Sequence, residues 1–101
     1  MLTLIRDAFT KAQEAVARAK EQHGNQDRGM CGMAWVQIPD GRSPLAKALR
    51  LHFGATKHWS KGALVWNPGK ADWQNVDVNR AGATAFAECF PKQTLTSSRL
   101  D

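Results

Sequence analysis

The stretch from residue 30 to residue 45, MCGMAWVQIPDGRSPL, constrains the fold more than any other. Met30–Ile38 is a short apolar run that reads as a strand. Ala34, Val36 and Ile38 point one way along it, and Met33, Trp35 and Gln37 point the other. Both sets are largely apolar, so the strand is expected to be central and covered on both sides. Pro39-Asp40-Gly41 ends it as a turn. Ser43-Pro44 then supplies an N-cap followed by a proline at the first helical position. A strand therefore feeds a helix within a few residues. Leu45, Ala48, Leu49 and Phe53 form the buried side of that helix, Gly54 stops it, and Lys47 and Arg50 are left outside.

The flanking segments complete the architecture. A first helix is predicted over Thr3–His23, where Ile5, Ala8, Phe9, Ala12, Ala15, Val16 and Ala19 recur at three- and four-residue steps, with Gly24 as its stop. Its apolar face is mostly alanine, which suits close packing against the sheet or a partner chain. Ala55–Trp59 and Ala63–Trp66 read as a hairpin around a Ser-Lys-Gly turn, closed by Asn67-Pro68-Gly69. Asn75 or Asp77 caps a third helix over Val78–Phe90, ended by Pro91, with Val78, Ala81, Ala85, Phe86, Cys89 and Phe90 on one face. Glycine inside a helix costs ~1 kcal/mol relative to alanine, so Ala81-Gly82-Ala83 predicts a close approach to the sheet. Thr94-Leu95-Thr96 reads as a short C-terminal edge strand. The order α-β-α-β-β-α plus that strand is an α+β fold with helices packed on a small sheet. The 101 residues make one domain. Within it, residues 1–24 form an amphipathic helix and 30–101 the core.

The first 20 residues carry charges throughout and lack the apolar core of a signal peptide. No run reaches the ~20 apolar residues of a membrane span. Two cysteines, Cys31 and Cys89, do not make a disulfide framework. These features point to a soluble protein of a reducing compartment.

The formal net charge of +5 is unevenly placed. Between Gly41 and Ala71 there is no Asp or Glu, while Arg42, Lys47, Arg50, Lys57, Lys61 and Lys70 all fall inside. Such a segment concentrates anions, whether nucleic acid or acidic protein, or is simply a solvated basic surface.

Catalytic patterns are lacking. His23, His52, His58, Cys31 and Cys89 show no zinc-ligand spacing, and both cysteines read as small core residues. No serine or cysteine is singled out with a base, Asp40 and Asp72 sit in turns, and Gly62 and Gly69 are isolated turn glycines rather than a phosphate loop. The chain reads as a non-enzyme without metal or cofactor. Trp59, Trp66 and Trp73 do interleave with Lys57, Lys61 and Lys70, the pairing of stacking faces and cations that single-stranded nucleic-acid sites use. Trp35 and Trp66 are expected in the core and Trp73 in an exposed loop, with Trp59 equally suited to either. The candidate binding residues are Arg42, Lys47, Arg50, Lys57, Trp59, Lys61, Lys70 and Trp73. No helix-turn-helix, RNA-recognition-motif or zinc-finger signature accompanies them.

The stretches "CGMAWVQI" at 31–38, "GALVWNPG" at 62–69, "RAGATAFAECF" and the final "SSRLD" together resemble a family of small proteins encoded by tailed bacteriophages. That family carries Cys-Gly-Phe-Ala-Trp-Val, a Gly-Gly strand ending in Trp-Asn-Pro, an alanine-rich helix and a terminal Ser-Arg-Leu-Asp. The resemblance covers about residues 30–101. Met33 stands where phenylalanine is usual, and Lys61-Gly62 where a glycine pair is usual. It implies a phage origin and a place in the host cytoplasm or the virion, but no activity or catalytic residues.

The leading expectation is a small non-enzymatic phage accessory protein that binds a host macromolecule or nucleic acid through segment 42–70. The alternatives are a virion component such as a capsid decoration or cement protein, and a sponge for a nucleotide defence signal. The expected partners are an anionic macromolecule (nucleic acid or an acidic host protein) or other phage proteins, with no membrane. The N-terminal helix offers a route to a homo-oligomer.

Overall fold

The computed structural model describes residues 2–22, 32–58, 61–70, 75–90 and 95–100, with 98–100 described by their backbone alone. The elements are α1 (Leu2–Gln22), β1 (Gly32–Ile38), α2 (Pro44–His52), β2 (Thr56–Lys57), β3 (Ala63–Trp66), α3 (Val76–Glu88) and β4 (Leu95–Leu100). Local signals place the helix starts. The Ser43 Oγ accepts from the Ala46 N–H at 3.2 Å, with Pro44 opening α2. Asn75, rather than Asp77, caps α3, its Oδ1 accepting from the N–H groups of Asp77 and Val78 at 2.8 and 3.2 Å. Gly54 follows α2 at φ +71°, a conformation glycine adopts without steric cost. The C-terminal strand is longer than the sequence suggests, because β4 pairs with β1 from Leu95↔Gln37 to Leu100↔Gly32. The first arm of the hairpin is shorter, reduced to Thr56–Lys57.

All neighbouring strands are antiparallel, in the order β2-β3-β1-β4. β1 and β2 are therefore parallel with β3 between them, and β3 and β4 are parallel with β1 between them. The segment after α1 is thus two interlocked split β-α-β units. A radius of gyration of 13.1 Å matches the ~13 Å of a compact chain of this length, as one domain requires.

The helices lie on one face of the sheet. Ala34, Val36 and Ile38 of β1 and Ala63 and Val65 of β3 join Leu45, Ala46 and Leu49 of α2 and Ala83, Phe86 and Phe90 in one core. α1 forms a third layer over α3, with Ile5, Ala8, Ala12, Ala15, Val16 and Ala19 buried. The alanine-rich face is therefore covered within the chain, on a helix rather than on the sheet, and is not left open for a second copy.

Two expectations are corrected. β1 itself is central and buried on both faces, as expected, and the first correction concerns Trp66 on its neighbour β3. Strand alternation turns Ala63 and Val65 towards the helices, so Leu64 and Trp66 must point the other way. Trp66 is 51% exposed there rather than buried in the core. The second concerns Gly82, whose close approach is not to the sheet. A Cβ at Gly82 would stand 2.9 Å from Val16 Cγ2 and 3.1 Å from Gly69 Cα. The glycine lets the turn after β3 wedge against both α1 and α3. Pro68 and Gly69 are buried in that wedge.

Candidate functional site

The face of the sheet turned away from the helices is built by the cross-strand register. Trp35 stands opposite Trp66 on β3 and Ser97 on β4, and Gln37 stands opposite Leu64 and Leu95. Residues directly opposite share a face. The two indoles stack with centroids 5.4 Å apart and planes 9° apart. Trp35 is 7% exposed and forms the inner layer, while Trp66 lies outermost. Leu95, 55% exposed, and half-buried Leu64 extend the apolar surface. The Gln37 Nε2 donates to the Lys61 carbonyl at 2.8 Å, tying the hairpin loop to this face while the lysine side chain stays in solvent.

The basic window does not form one patch. The Arg50 Nη2 donates to the Gly41 carbonyl at 2.9 Å. Gly41 in turn abuts Gly62, whose Cα would lie 3.3 Å from a Cβ at Gly41. Arg42, next to Gly41, donates its backbone N–H to the Asp40 Oδ1 at 3.0 Å. Arg42, Arg50 and Lys61 thus meet at the start of α2, and Lys47 lies one turn before Arg50 on the exposed side of the helix. Lys57 stands on the edge strand opposite Ala63. Lys70 is separate from these. The turn carries it towards the far end of α2 and sets its Nζ 5.7 Å from the centre of the Phe9 ring. Trp59 and Trp73 lie outside the described residues, as do His23 and Cys31.

Sequence reasoning missed a second location. Arg6, Phe9 and Thr10 of α1, His52 and Phe53 at the end of α2, and Lys70 line an open cleft of about 480 Å³. The Phe9 and Phe53 rings stack at 5.6 Å and 25°, and Phe9 meets Phe86 edge-on at 4.8 Å. The signal for this site was Phe9 itself, the one aromatic on an alanine face. Its ring fills a gap that alanine cannot span.

Among the described residues, no three His, Cys, Asp or Glu side chains come together as a metal site, and no helix is long and apolar enough to cross a membrane. The Cys89 thiol is free and half-buried, its Sγ 3.6 Å from the Ala85 carbonyl oxygen it donates to.

No protein-family model matches the chain, and no curated protein or solved structure matches it significantly.

Proposed function

We propose that the chain is a non-enzymatic binding protein that stacks the bases of single-stranded nucleic acid on its open sheet face. The observation that carries this reading is Trp66, half exposed and parallel to Trp35 on a central strand. Leaving about 100 Å² of indole in water forgoes ~2.5 kcal/mol of burial. A base stacked on such a ring returns ~1–3 kcal/mol. Four-stranded sheets with aromatics on their open face stack two or three bases in RNA-binding modules, which supports the reading by analogy of architecture alone. Lys61, whose backbone is anchored by Gln37, supplies a cation for the phosphate path, whereas Lys57, opposite Ala63, belongs to the helix side of the edge strand.

The test is an electrophoretic and fluorescence titration with poly(dT) and poly(U) oligonucleotides at several salt concentrations. Each phosphate contact to a single strand contributes ~0.7 to the log–log salt slope. Removing Lys61 should therefore flatten the slope by ~0.7. Trp66→Leu, which keeps Trp35 covered but removes the stacking plane, should weaken binding by ~5- to 150-fold. No shift with either oligonucleotide, or full affinity in Trp66→Leu, would overturn the reading.

The phage origin belongs to the same proposal and rests on the motifs at 31–38, 62–69 and 97–101. Mass spectrometry of purified particles decides between a protein delivered to the host cytoplasm and a virion component. Stoichiometric copies in the particle favour the decoration or cement role.

A further inference from the structure

We infer that the cleft between α1, the end of α2 and the 67–70 turn binds a nucleoside phosphate, on the helical side of the molecule and independently of the sheet face. Three segments far apart in sequence build it: Arg6, Phe9 and Thr10; His52 and Phe53; and Lys70. Its volume of about 480 Å³ falls within the ~300–1,000 Å³ of small-ligand sites.

The chemistry of the lining is two-sided. Half-buried Phe9 and Phe53 supply an apolar aromatic floor suited to a planar ring. Arg6 and Lys70 are cations, His52 adds an imidazole, and none of the six lining residues is acidic. The guanidinium offers a planar fork to phosphoryl oxygens and the ammonium a compact charge. A ligand that satisfies both parts carries a flat ring and at least one phosphoryl group.

The backbone at Lys70 supports this assignment. Lys70 has φ +52°, a left-handed region that a side chain such as lysine enters only at a steric cost, whereas Asn67 at φ +46° is of a type that tolerates it. The Lys70 N–H donates to the Asn67 carbonyl at 2.9 Å, and buried Pro68 and Gly69 pin the turn between α1 and α3. The lysine Cα is therefore held rigidly at the rim, and its ammonium rests near the Phe9 ring. A site held in this way binds without the entropic cost of ordering a loop. Strain kept at a rigid rim position is where a binding role is to be sought.

Isothermal titration of the full chain at low salt with ADP, pyrophosphate and adenosine tests the inference. ADP is expected to bind, pyrophosphate ~10-fold or more weakly, and adenosine only marginally, since each satisfies half the cleft. Arg6 and Lys70 are exposed, so Arg6→Ala and Lys70→Ala should fold normally by circular dichroism. Each should lose ~10-fold or more in ADP affinity, as for a charge-assisted hydrogen bond. Lys47→Ala, which removes a charge on α2 outside the cleft, should bind ADP like the parent chain. So should Trp66→Leu, which separates this inference from the nucleic-acid reading. Absence of ADP binding, pyrophosphate binding as tightly as ADP, or an equal loss in Lys47→Ala would overturn the proposal.

Discussion

The contact of Gly69 with α1 yields the sharpest expectation, because a single methyl group tests how the third layer is held. A Cβ at Gly69 would overlap Val16 Cγ2 and lie 3.1 Å from the Ala12 carbonyl oxygen and 3.2 Å from Gly82 Cα. Valine in a helix is confined almost to one χ1 rotamer, so Val16 cannot swing aside. Gly69→Ala must therefore push α1 away from α3 and loosen the small cluster of Val16, Ala19 and Val78. Overpacking of this kind costs ~1–3 kcal/mol. The stiffer unfolded chain of the alanine variant returns ~0.4–1 kcal/mol, leaving a net loss of ~1–2 kcal/mol. That corresponds to a Tm lower by about 5–15 °C for a domain of this size. Val16→Ala alone loses two buried methyl groups, ~1.6 kcal/mol. Combined with Gly69→Ala it removes the overlap, so the double variant should be no less stable than Val16→Ala by more than a few tenths. Urea unfolding followed by far-ultraviolet circular dichroism measures the cycle. A coupling of ~1–2 kcal/mol is expected, and additive losses would refute the steric account of the wedge.

The remaining expectations concern single residues. Gly62 has φ +80°, and a Cβ there would overlap the Ile38 carbonyl oxygen and stand 2.7 Å from the Pro39 carbonyl oxygen. Gly62→Ala should therefore cost ~3 kcal/mol or more, read as lost soluble expression or a collapsed thermal transition. Asn79 is fully buried on α3, and its Nδ2 donates to the Gly32 carbonyl at 2.7 Å. Asn79→Ala should lower the urea midpoint by an amount equal to ~1–3 kcal/mol, because it strands a buried acceptor at the start of β1. A midpoint unchanged within error would remove Asn79 as the tie between helix and strand.

The helix starts were legible because their signals are local. Ser43 and Pro44 act within three residues, so sequence order alone places that start, while Asn75 and Asp77 both suited the start of α3 until the Asn75 Oδ1 contacts decided between them. Gly62 shows where local reading stopped. A Cβ at Gly62 would meet the Ile38 carbonyl, and that neighbour arrives only through β-pairing. Buried Asn79 escaped notice for the same reason. A polar residue on an apolar helix face reads as a misfit until its acceptor, 47 residues earlier in the chain, is brought to it.

The candidate sites divide in the same manner. The alternation of β1 and β3 assigns Trp35 and Trp66 to opposite sides from Val36 and Val65, which the period of two settles from sequence. Which side the helices cover is not contained in that period. Burial of Trp66 was the natural expectation until all three helices were found on the other face. The basic window likewise showed six charges without their distribution, and the fold divides them between the start of α2, the edge strand and a distant turn. Sequence by itself determined the order and type of the elements, the capping of α2, the α+β class and the excess of positive charge, since these depend on neighbours a few residues apart. Only the tertiary structure decided that the alanine face of α1 closes on α3, that Trp66 is exposed, and that Arg6, His52 and Lys70 share a cleft. Those outcomes depend on register and packing between segments tens of residues apart, where no local periodicity carries information.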